Sequence, residues 1–206
     1  MERVSLRPIL APLGAALICL MAMRQAGVAG QTPLVEELAA KAVSVSSAED
    51  AGRVDIYIER WSNDAELERL RGPLAGGDPA GLLRALQQQR QRVGVLLMPG
   101  VQGHGARVRT RTPKNLLFAR AIETPNGRRV IVASDERLAL GESPLDARKE
   151  VYEFNLIEIR FDADGMGVGK VATAADVVFS PATHSLEVKD YAARPARLID
   201  VTPGKY

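Results

Sequence analysis

Residues 116–133 read LLFARAIETPNGRRVIVA, and this stretch decides the fold. Two apolar runs flank Thr124-Pro-Asn-Gly127, and a turn sequence of this kind between such runs predicts a β-hairpin. Pro125 suits the first corner of a type I turn, and Gly127 can take the positive φ that a bulge requires. In that register we expect Glu123 to face Arg129 across the ladder.

Strand signals continue on both sides of this hairpin. Alternating or apolar runs bounded by turn residues predict strands within residues 54–61, 93–98, 106–111, 151–161, 168–179, 186–191 and 197–201. Most of the connections are short, which favours antiparallel neighbours. The sequence therefore predicts a mostly antiparallel sheet of about seven to eight strands, curled or stacked so that one face is buried.

Two short helices are expected ahead of most of these strands. Asn63 is followed three residues later by Glu66, which is the spacing of a capping box, and Gly72-Pro73 is expected to end this helix. Asp78 as N-cap and Pro79 at the first helical position open the second helix. The predicted fold class is thus α+β, with two short N-terminal helices and the sheet.

The N-terminal thirty residues have the pattern of a secretory signal peptide. Arg3 and Arg7 precede an uncharged apolar run, Pro8–Met23, and small residues lead to Gly30. The alternative is a retained anchor, but a spanning helix needs about 20 apolar residues and this run is shorter. We expect cleavage after residue 30, a periplasmic or extracellular location, and no permanent membrane anchor after cleavage.

The rest of the chain divides into a lead-in and one domain. Residues 31–52 are expected to be a lead-in or linker, with two helical turns over Val35–Ala42 and a polar stretch after them. Residues 53–206 are expected to form a single α+β domain. The mature length of about 176 residues suffices for one domain that buries roughly 70% of its unfolded surface.

Removal of the leader changes the charge and cysteine content. The leader holds three of the 27 basic residues and one of the 25 acidic residues, so the net charge falls from +2 to about zero. A near-neutral chain argues against nucleic acid as a partner. Cys19 is the only cysteine, and its loss excludes a disulfide, a thiol nucleophile and a thiolate metal site.

The densest positive strip of the mature chain supplies the predicted ligand-binding residues. Arg107, Arg109 and Arg111 are spaced by two, which places them on one face of a strand, and Lys114 follows. His104 lies just before them in a glycine-rich loop that offers backbone N–H groups to an anion. The strip either holds a carboxylate or phosphate or forms a solvated outer face.

No cofactor is expected, and one segment resembles a metal loop in part. Asp162 and Asp164 followed by glycine have the start of a calcium-binding loop, but Met166 stands where that pattern needs a third ligand and Thr173 where it needs an acidic residue. The alternative, which we prefer, is a hairpin turn in which the aspartates satisfy local backbone N–H groups.

A secreted hydrolase is the alternative to a binding function. Ser180 and Ser185 lie near His184, one of only two histidines, but no nucleophile-elbow pattern surrounds them. Paired carboxylates such as Glu59 and Glu153 would be the other route to hydrolysis. Neither arrangement is specific enough to assign a catalytic residue.

Trp61, the only tryptophan, shares a predicted strand face with Tyr57 and Glu59. This face is either a hydrated ligand-binding patch or is covered by the first helix, with Trp61 packing on Leu67 or Leu70. The helix cover is the preferred interpretation.

Three segments resemble parts of uncharacterised bacterial exported proteins. They are residues 54–62, 151–161 and 192–198, which read VDIYIERWS, VYEFNLIEIRF and AARPARL. The resemblance implies a recurrent exported domain over most of residues 53–202 and assigns no residue a role. Together with the leader, it favours an exported, non-enzymatic binding or envelope-associated domain whose partner is a small molecule or an envelope protein.

Overall fold

The computed structural model describes residues 34–43, 50–89, 91–99, 101–102, 109–111, 113–136, 138, 155–173, 176–193 and 196–204. The expected signal peptide lies outside the described residues. The strands are β1 (Glu36–Val43), β2 (Asp50–Ile58), β3 (Gly94–Leu97), β4 (Val101–Gln102), β5 (Arg109–Thr110), β6 (Pro113–Leu116), β7 (Phe118–Thr124), β8 (Gly127–Ser134), β9 (Asn155–Phe161), β10 (Gly167–Thr173), β11 (Val177–Ser180), β12 (Ser185–Val188) and β13 (Leu198–Pro203). The helices are α1 (Asp64–Ala75) and α2 (Pro79–Gln87). No helix in the described ranges is long and apolar enough to cross a membrane.

Nine of the strands form one antiparallel sheet that is nearly closed. Its order is β6-β3-β2-β1-β13-β10-β9-β8-β7, and its two outer strands, β6 and β7, are separated in sequence by Leu117 alone. The N–H of Leu117 donates to the oxygen of Ala133 on β8 over 2.9 Å, and the oxygen of Leu116 accepts from Val93 next to β3 over 2.8 Å. One bent stretch of chain therefore joins the two edges of the sheet.

The predicted α+β class is wrong, because the described chain is mostly strand and the two helices are additions to a large curled sheet. The helical prediction for Val35–Ala42 is also wrong, since all of these residues but Val35 belong to β1, in the interior of the sheet order. Leu38, Ala40 and Ala42 alternate as buried residues. Pairing with β2 and β13 outweighs the helix preference of this alanine-rich segment. The compact unit Pro33–Tyr206 thus begins ahead of the expected boundary at residue 53.

The inside of the curled sheet is an apolar core. Alternate residues of each long strand point inward and are almost fully buried, among them Val54, Ile56, Ile58, Val130, Val132, Ile157 and Ile159. The burial of so many aliphatic side chains is the main favourable term for closing the sheet.

A second apolar cluster covers the outer face of β7 to β10. Phe118, Ile131 and Leu156 point outward from these strands. Leu67, Leu70, Leu82 and Leu86 of the helices and Leu186 of β12 pack in the same cluster. Strands β8 and β9 are consequently buried on both faces, which explains the continuous apolar run Val130–Ala133.

The hairpin at Thr124–Gly127 is confirmed, but its register differs by one residue from the prediction. Thr124 pairs with Gly127, so Glu123 faces Arg128 and not Arg129. The loop contains only two residues, whereas the predicted bulge required one more. Gly127 has a φ of 116°, as the turn sequence requires.

Both helix starts are confirmed. The Asn63 side chain accepts from the Glu66 N–H over 2.9 Å, and the Glu66 carboxylate accepts from the Asn63 N–H over 2.9 Å. Asp78 caps α2 through the N–H of Gly81 over 2.8 Å. The predicted end of α1 at Gly72-Pro73 is wrong, because the helix continues to Ala75 with Pro73 in its last turn.

Candidate functional site

The structure describes part of the predicted cationic strip. His104 and Arg107 lie outside the described residues, and Arg109 is placed only as backbone of β5, opposite Gln102. Arg111 and Lys114 are described with their side chains. These two residues contact separate carboxylates, so the structure does not bring them together on one shared anion position.

Arg111 is an anchor between the strip and the sheet. Its guanidinium bonds the carboxylate of Asp55 and donates to the backbone oxygens of Met98, Leu97 and Arg53 over 3.0–3.1 Å. Burial works to raise the pKa of Asp55, but hydrogen bonds from Arg111 and Arg53 lower it overall. Asp55 is only 2% exposed, so Arg111 and Arg53 together neutralise a buried charge.

Lys114 is paired in the same manner at the next strand. Its Nζ donates to Glu136 Oε2 over 2.7 Å, and this hydrogen bond lowers the pKa of the Glu136 carboxyl. Arg111 and Lys114 therefore both form ion pairs with carboxylates of the protein itself. A ligand anion at either residue would have to displace Asp55 or Glu136.

The calcium candidates Asp162 and Asp164 lie in the turn between β9 and β10. Asp162 Oδ1 accepts from the N–H groups of Asp164 and Met166 over 3.0 and 2.9 Å. This is the local bonding of an aspartate in a turn. Over the described positions, no group of three histidine, cysteine or acidic side chains is arranged to hold a metal ion.

His184 lies at the tip of the β11–β12 hairpin and contacts α1. Its Nε2 is 3.6 Å from Glu68 Oε1, and its ring meets Phe179 edge-on with a centroid distance of 5.6 Å. The neighbouring Ser185 Oγ is buried and has no hydrogen-bond partner in the described part of the chain. The two residues thus do not form the hydrogen-bonded pair that a serine nucleophile needs.

Trp61 adopts neither of its predicted environments. It packs against the inner core, while Leu67 and Leu70 belong to the outer cluster. The guanidinium of Arg128 lies over its ring at 5.7 Å and also bonds the Glu36 carboxylate. Trp61 and Arg128 thus cover one end of the curled sheet.

The carboxylate pair considered for hydrolysis is described only in part. Glu59 is paired with Arg92, with an Oε1–Nη2 distance of 2.8 Å, and Glu153 lies outside the described residues.

A polar concavity of the described structure lies where the two helices meet the sheet. We call it the Gln/Arg cleft. It is open to solvent, has a volume of about 350 Å³, and is lined by Arg60, Glu66, Arg69, Gln88, Gln89 and Gln91. Each lining residue bears a charged or amide side chain, and none is aliphatic or aromatic.

Three chain segments meet at this cleft. Arg60 follows β2, and its N–H donates to the oxygen of Val93 over 3.2 Å. Glu66 and Arg69 are one turn apart on α1, and the three glutamines lie where α2 ends and the chain returns to β3. The capping box of α1 orients Glu66, because the same carboxylate that caps the helix also faces Arg60.

A partly buried ion pair forms one wall of the cleft. Arg60 Nη1 and Nη2 donate to the two Glu66 carboxylate oxygens over 2.9 and 2.8 Å, and Nη2 also donates to the backbone oxygen of Gln91 over 3.0 Å. This pairing lowers the pKa of Glu66 and raises that of Arg60. Arg60 Nε is buried and has no hydrogen-bond partner among the residues described, an arrangement that costs about 1–3 kcal/mol when such a donor stays unsatisfied.

Gln89 lines the cleft beside this pair. Its Oε1 accepts from Arg69 Nη1 over 3.0 Å, and its Nε2 approaches the Glu66 backbone oxygen at 3.5 Å. Gln89 is buried, whereas Gln88 and Gln91 are exposed.

The sequence prediction missed this cleft. Its one signal is the run of glutamine and arginine over residues 87–92, which looks like the polar end of a helix.

Comparison with known proteins adds no relationship: no protein-family model, curated protein or solved structure matches the chain.

Proposed function

We propose that this protein is an exported, non-enzymatic binding module that takes a small polar ligand in the Gln/Arg cleft. The supporting observation is the lining of the cleft, which offers only charged and amide groups in a space of about 350 Å³. That volume is at the small end of ligand pockets, which span about 300–1,000 Å³. The apolar leader Pro8–Met23 supports export.

Several other parts of the described structure are already filled, covered or paired. The inside of the curled sheet is filled by aliphatic side chains, and the outer face of β7 to β10 is covered by the helices and by β12. In the described part of the cationic strip, Arg111 and Lys114 are already paired with Asp55 and Glu136. The cleft is therefore the position where a ligand would meet polar groups without displacing the core.

A variant that fills the cleft tests this proposal. Gln88→Trp places a bulky side chain at the lining, and Gln87→Trp places the same side chain one residue earlier, at an exposed position that does not line the cleft. Native mass spectrometry of both variants and the wild type, each purified from the native host, measures co-purified small molecules. We expect a bound polar molecule in the wild type and in Gln87→Trp, and its loss in Gln88→Trp.

The proposal fails if the Gln88→Trp protein retains the same molecule. It also fails if the wild type carries none and no member of a set of amino acids, dicarboxylates, hexoses and polyamines shifts the amide resonances of Gln88, Gln89 and Gln91. Thermal unfolding of both tryptophan variants verifies that each is folded.

A further inference from the structure

Most donors of the Arg60–Glu66 wall are paired within the protein, and the one described without a partner, Arg60 Nε, is buried. Both Glu66 oxygens accept hydrogen bonds, and both terminal nitrogens of Arg60 donate. Glu66 is 7% exposed, so this pair forms a neutral wall more than a charged surface. Recognition of a ligand must come from the other side chains of the cleft.

Arg69 is the exposed arginine of the cleft, and its guanidinium has N–H donors that a ligand can reach. Its side chain is exposed and, among the described residues, makes one side-chain hydrogen bond, to Gln89 Oε1. Within the described ranges, no carboxylate forms a salt bridge with it, although its charge contributes to the lowered pKa of Glu66. A guanidinium has five N–H donors in a fixed planar fork, so most of those on Arg69 are available.

The charge of the lining favours an anion. Two arginines face one glutamate, and the remaining lining side chains are neutral amides. Because Arg60 and Glu66 neutralise each other, the positive charge of Arg69 is left to attract a carboxylate in the same cleft. Gln88 and Gln91 are exposed at the rim, where their amides can donate to the ligand's second oxygen or to a neighbouring polar group.

We infer that the ligand of the Gln/Arg cleft is a small carboxylate and that the guanidinium of Arg69 binds its two oxygens. This inference rests on the proposed function of the cleft. A planar carboxylate matches the arginine fork in a bidentate manner, which gives orientation as well as charge pairing. The absence of aliphatic and aromatic groups from the lining makes a compact, hydrophilic carboxylate the matching class.

A pair of isosteric probes tests the carboxylate. Succinate and its neutral diamide, succinamide, have the same carbon chain, and inorganic phosphate is a tetrahedral anion for comparison. Titrations are followed by the Nε–Hε resonances of the arginines and by the amide resonances of Gln88, Gln89 and Gln91. We expect succinate to shift the Arg69 resonance, to bind more weakly as salt is added, and to bind about tenfold or more tightly than succinamide.

Variants assign the contact to Arg69. Arg69→Gln is expected to weaken succinate binding by about tenfold or more, and Arg69→Lys, which keeps the charge without the fork, by less. Arg84→Gln is the matched control, because Arg84 is an exposed arginine of α2 that does not line the cleft. Thermal unfolding establishes that the variants are folded.

The outcomes separate this inference from the proposed function. If succinamide binds as tightly as succinate, or if Arg69→Gln leaves succinate binding unchanged, the cleft is a binding site but the carboxylate assignment is wrong. If phosphate binds and succinate does not, the ligand is a tetrahedral anion, which also overturns it. If the Gln88→Trp test fails, the proposed function fails together with the inference.

Discussion

Gly127 and Gly165 are two glycines with left-handed backbone, but their surroundings differ. Their φ values are 116° and 78°. A Cβ on Gly127 would lie 2.3 Å from the backbone oxygen of Phe161, whereas a Cβ on Gly165 would meet nothing within 4 Å. At Gly127 the absence of a side chain therefore allows two things: the positive φ of the turn and the close approach of the end of β9.

The comparison of Gly127→Ala with Gly165→Ala separates these two effects. We expect Gly165→Ala to lower the free energy of unfolding by about 1–2 kcal/mol, the strain of a left-handed residue with a Cβ. Gly127→Ala should cost more, because a backbone oxygen must also move. Urea unfolding measures both, and equal losses would show that the contact with Phe161 is unimportant.

The Arg60–Glu66 pair links stability to pH. Because the pKa of Glu66 is lowered in the folded protein, its ion pair stabilises the fold above the ordinary carboxyl pKa of 4.5. That stabilisation is lost as the pH falls through the lowered value. Removal of Arg60 takes away the largest cause of the lowered pKa. Burial then raises the pKa of Glu66 and favours its protonation, opposed only by the Asn63 N–H and the charge of Arg69.

Arg60→Met is expected to lose about 3 kcal/mol of unfolding free energy at neutral pH, because a buried carboxylate is left unpaired. The difference from the wild type should shrink as the pH falls toward and below 4.5, the ordinary pKa of the carboxyl. Urea unfolding across this range measures it. In a Glu66→Gln background the effect of Arg60→Met should not depend on pH, and a pH-dependent effect there would contradict this account.

At the scale of elements, the β11–β12 hairpin is attached to the sheet by charge as well as by apolar contact. Glu158 of β9 is fully buried, and its carboxylate accepts from the N–H of Val188 over 2.6 Å and from Arg160 Nε over 2.7 Å. Arg129 of β8 lies 3.5 Å from Glu158 and donates to Glu187 of the hairpin over 2.6 Å. The hairpin and the sheet thus share one network of ion pairs.

Glu158→Gln should loosen this hairpin. Loss of the buried negative charge leaves Arg129 partly unpaired, so we expect a destabilisation of about 3 kcal/mol and faster hydrogen exchange at the Val188 N–H. Glu123→Gln is the control, because Glu123 is 82% exposed and lies 3.8 Å from Arg128. It should cost less than about 1 kcal/mol. Unchanged exchange at Val188 in Glu158→Gln would contradict the role of Glu158.

At the scale of the whole molecule, the two ends of the described chain are neighbours. The N–H of Gly204 donates to the oxygen of Glu37 over 2.7 Å, and Leu38 pairs with Pro203. Strand β13 lies between β1 and β10, inside the order of the sheet and not at its edge. The sheet therefore depends on contacts between residues that are far apart in sequence.

A circular permutant and a truncation are expected to behave in opposite ways. Joining residue 204 to residue 34 with a short linker and opening the exposed turn between Ala163 and Asp164 keeps every strand pair, so the permutant should fold with a loss of no more than about 2 kcal/mol. Deletion of residues 196–206 removes β13 and should abolish cooperative unfolding. Circular dichroism during urea unfolding distinguishes the two, and a cooperative truncated protein would contradict this strand order.

Local signals in the sequence predict local structure here. The Pro125–Gly127 turn, the Asn63 capping box and the start of α2 at Pro79 are all confirmed, because each depends on residues within four positions of one another. The strand Glu36–Val43 was missed because its partners, β2 and β13, determine its conformation, and one of them is distant in sequence.

The same limit applies to the site. The charges of Arg111 and Lys114 suggest an anion site until their partners are known, and those partners, Asp55 and Glu136, are 56 and 22 residues away. The Gln/Arg cleft combines Arg60, α1 and the end of α2, and no local pattern in the sequence predicts that these segments meet. Sequence spacing identifies candidate charges, but only the folded chain distinguishes paired charges from available ones.

The position of β13 also has a consequence for the order in which the chain can fold. Strand β1 leaves the ribosome before the other described strands, yet one of its two neighbours is the final one, so the sheet stays open until residues 198–203 have emerged. A chain threaded through a membrane channel must stay unfolded during its passage. Under the proposed export, this strand order would itself delay closure of the sheet, because β1 cannot pair with β13 until β13 has been synthesised.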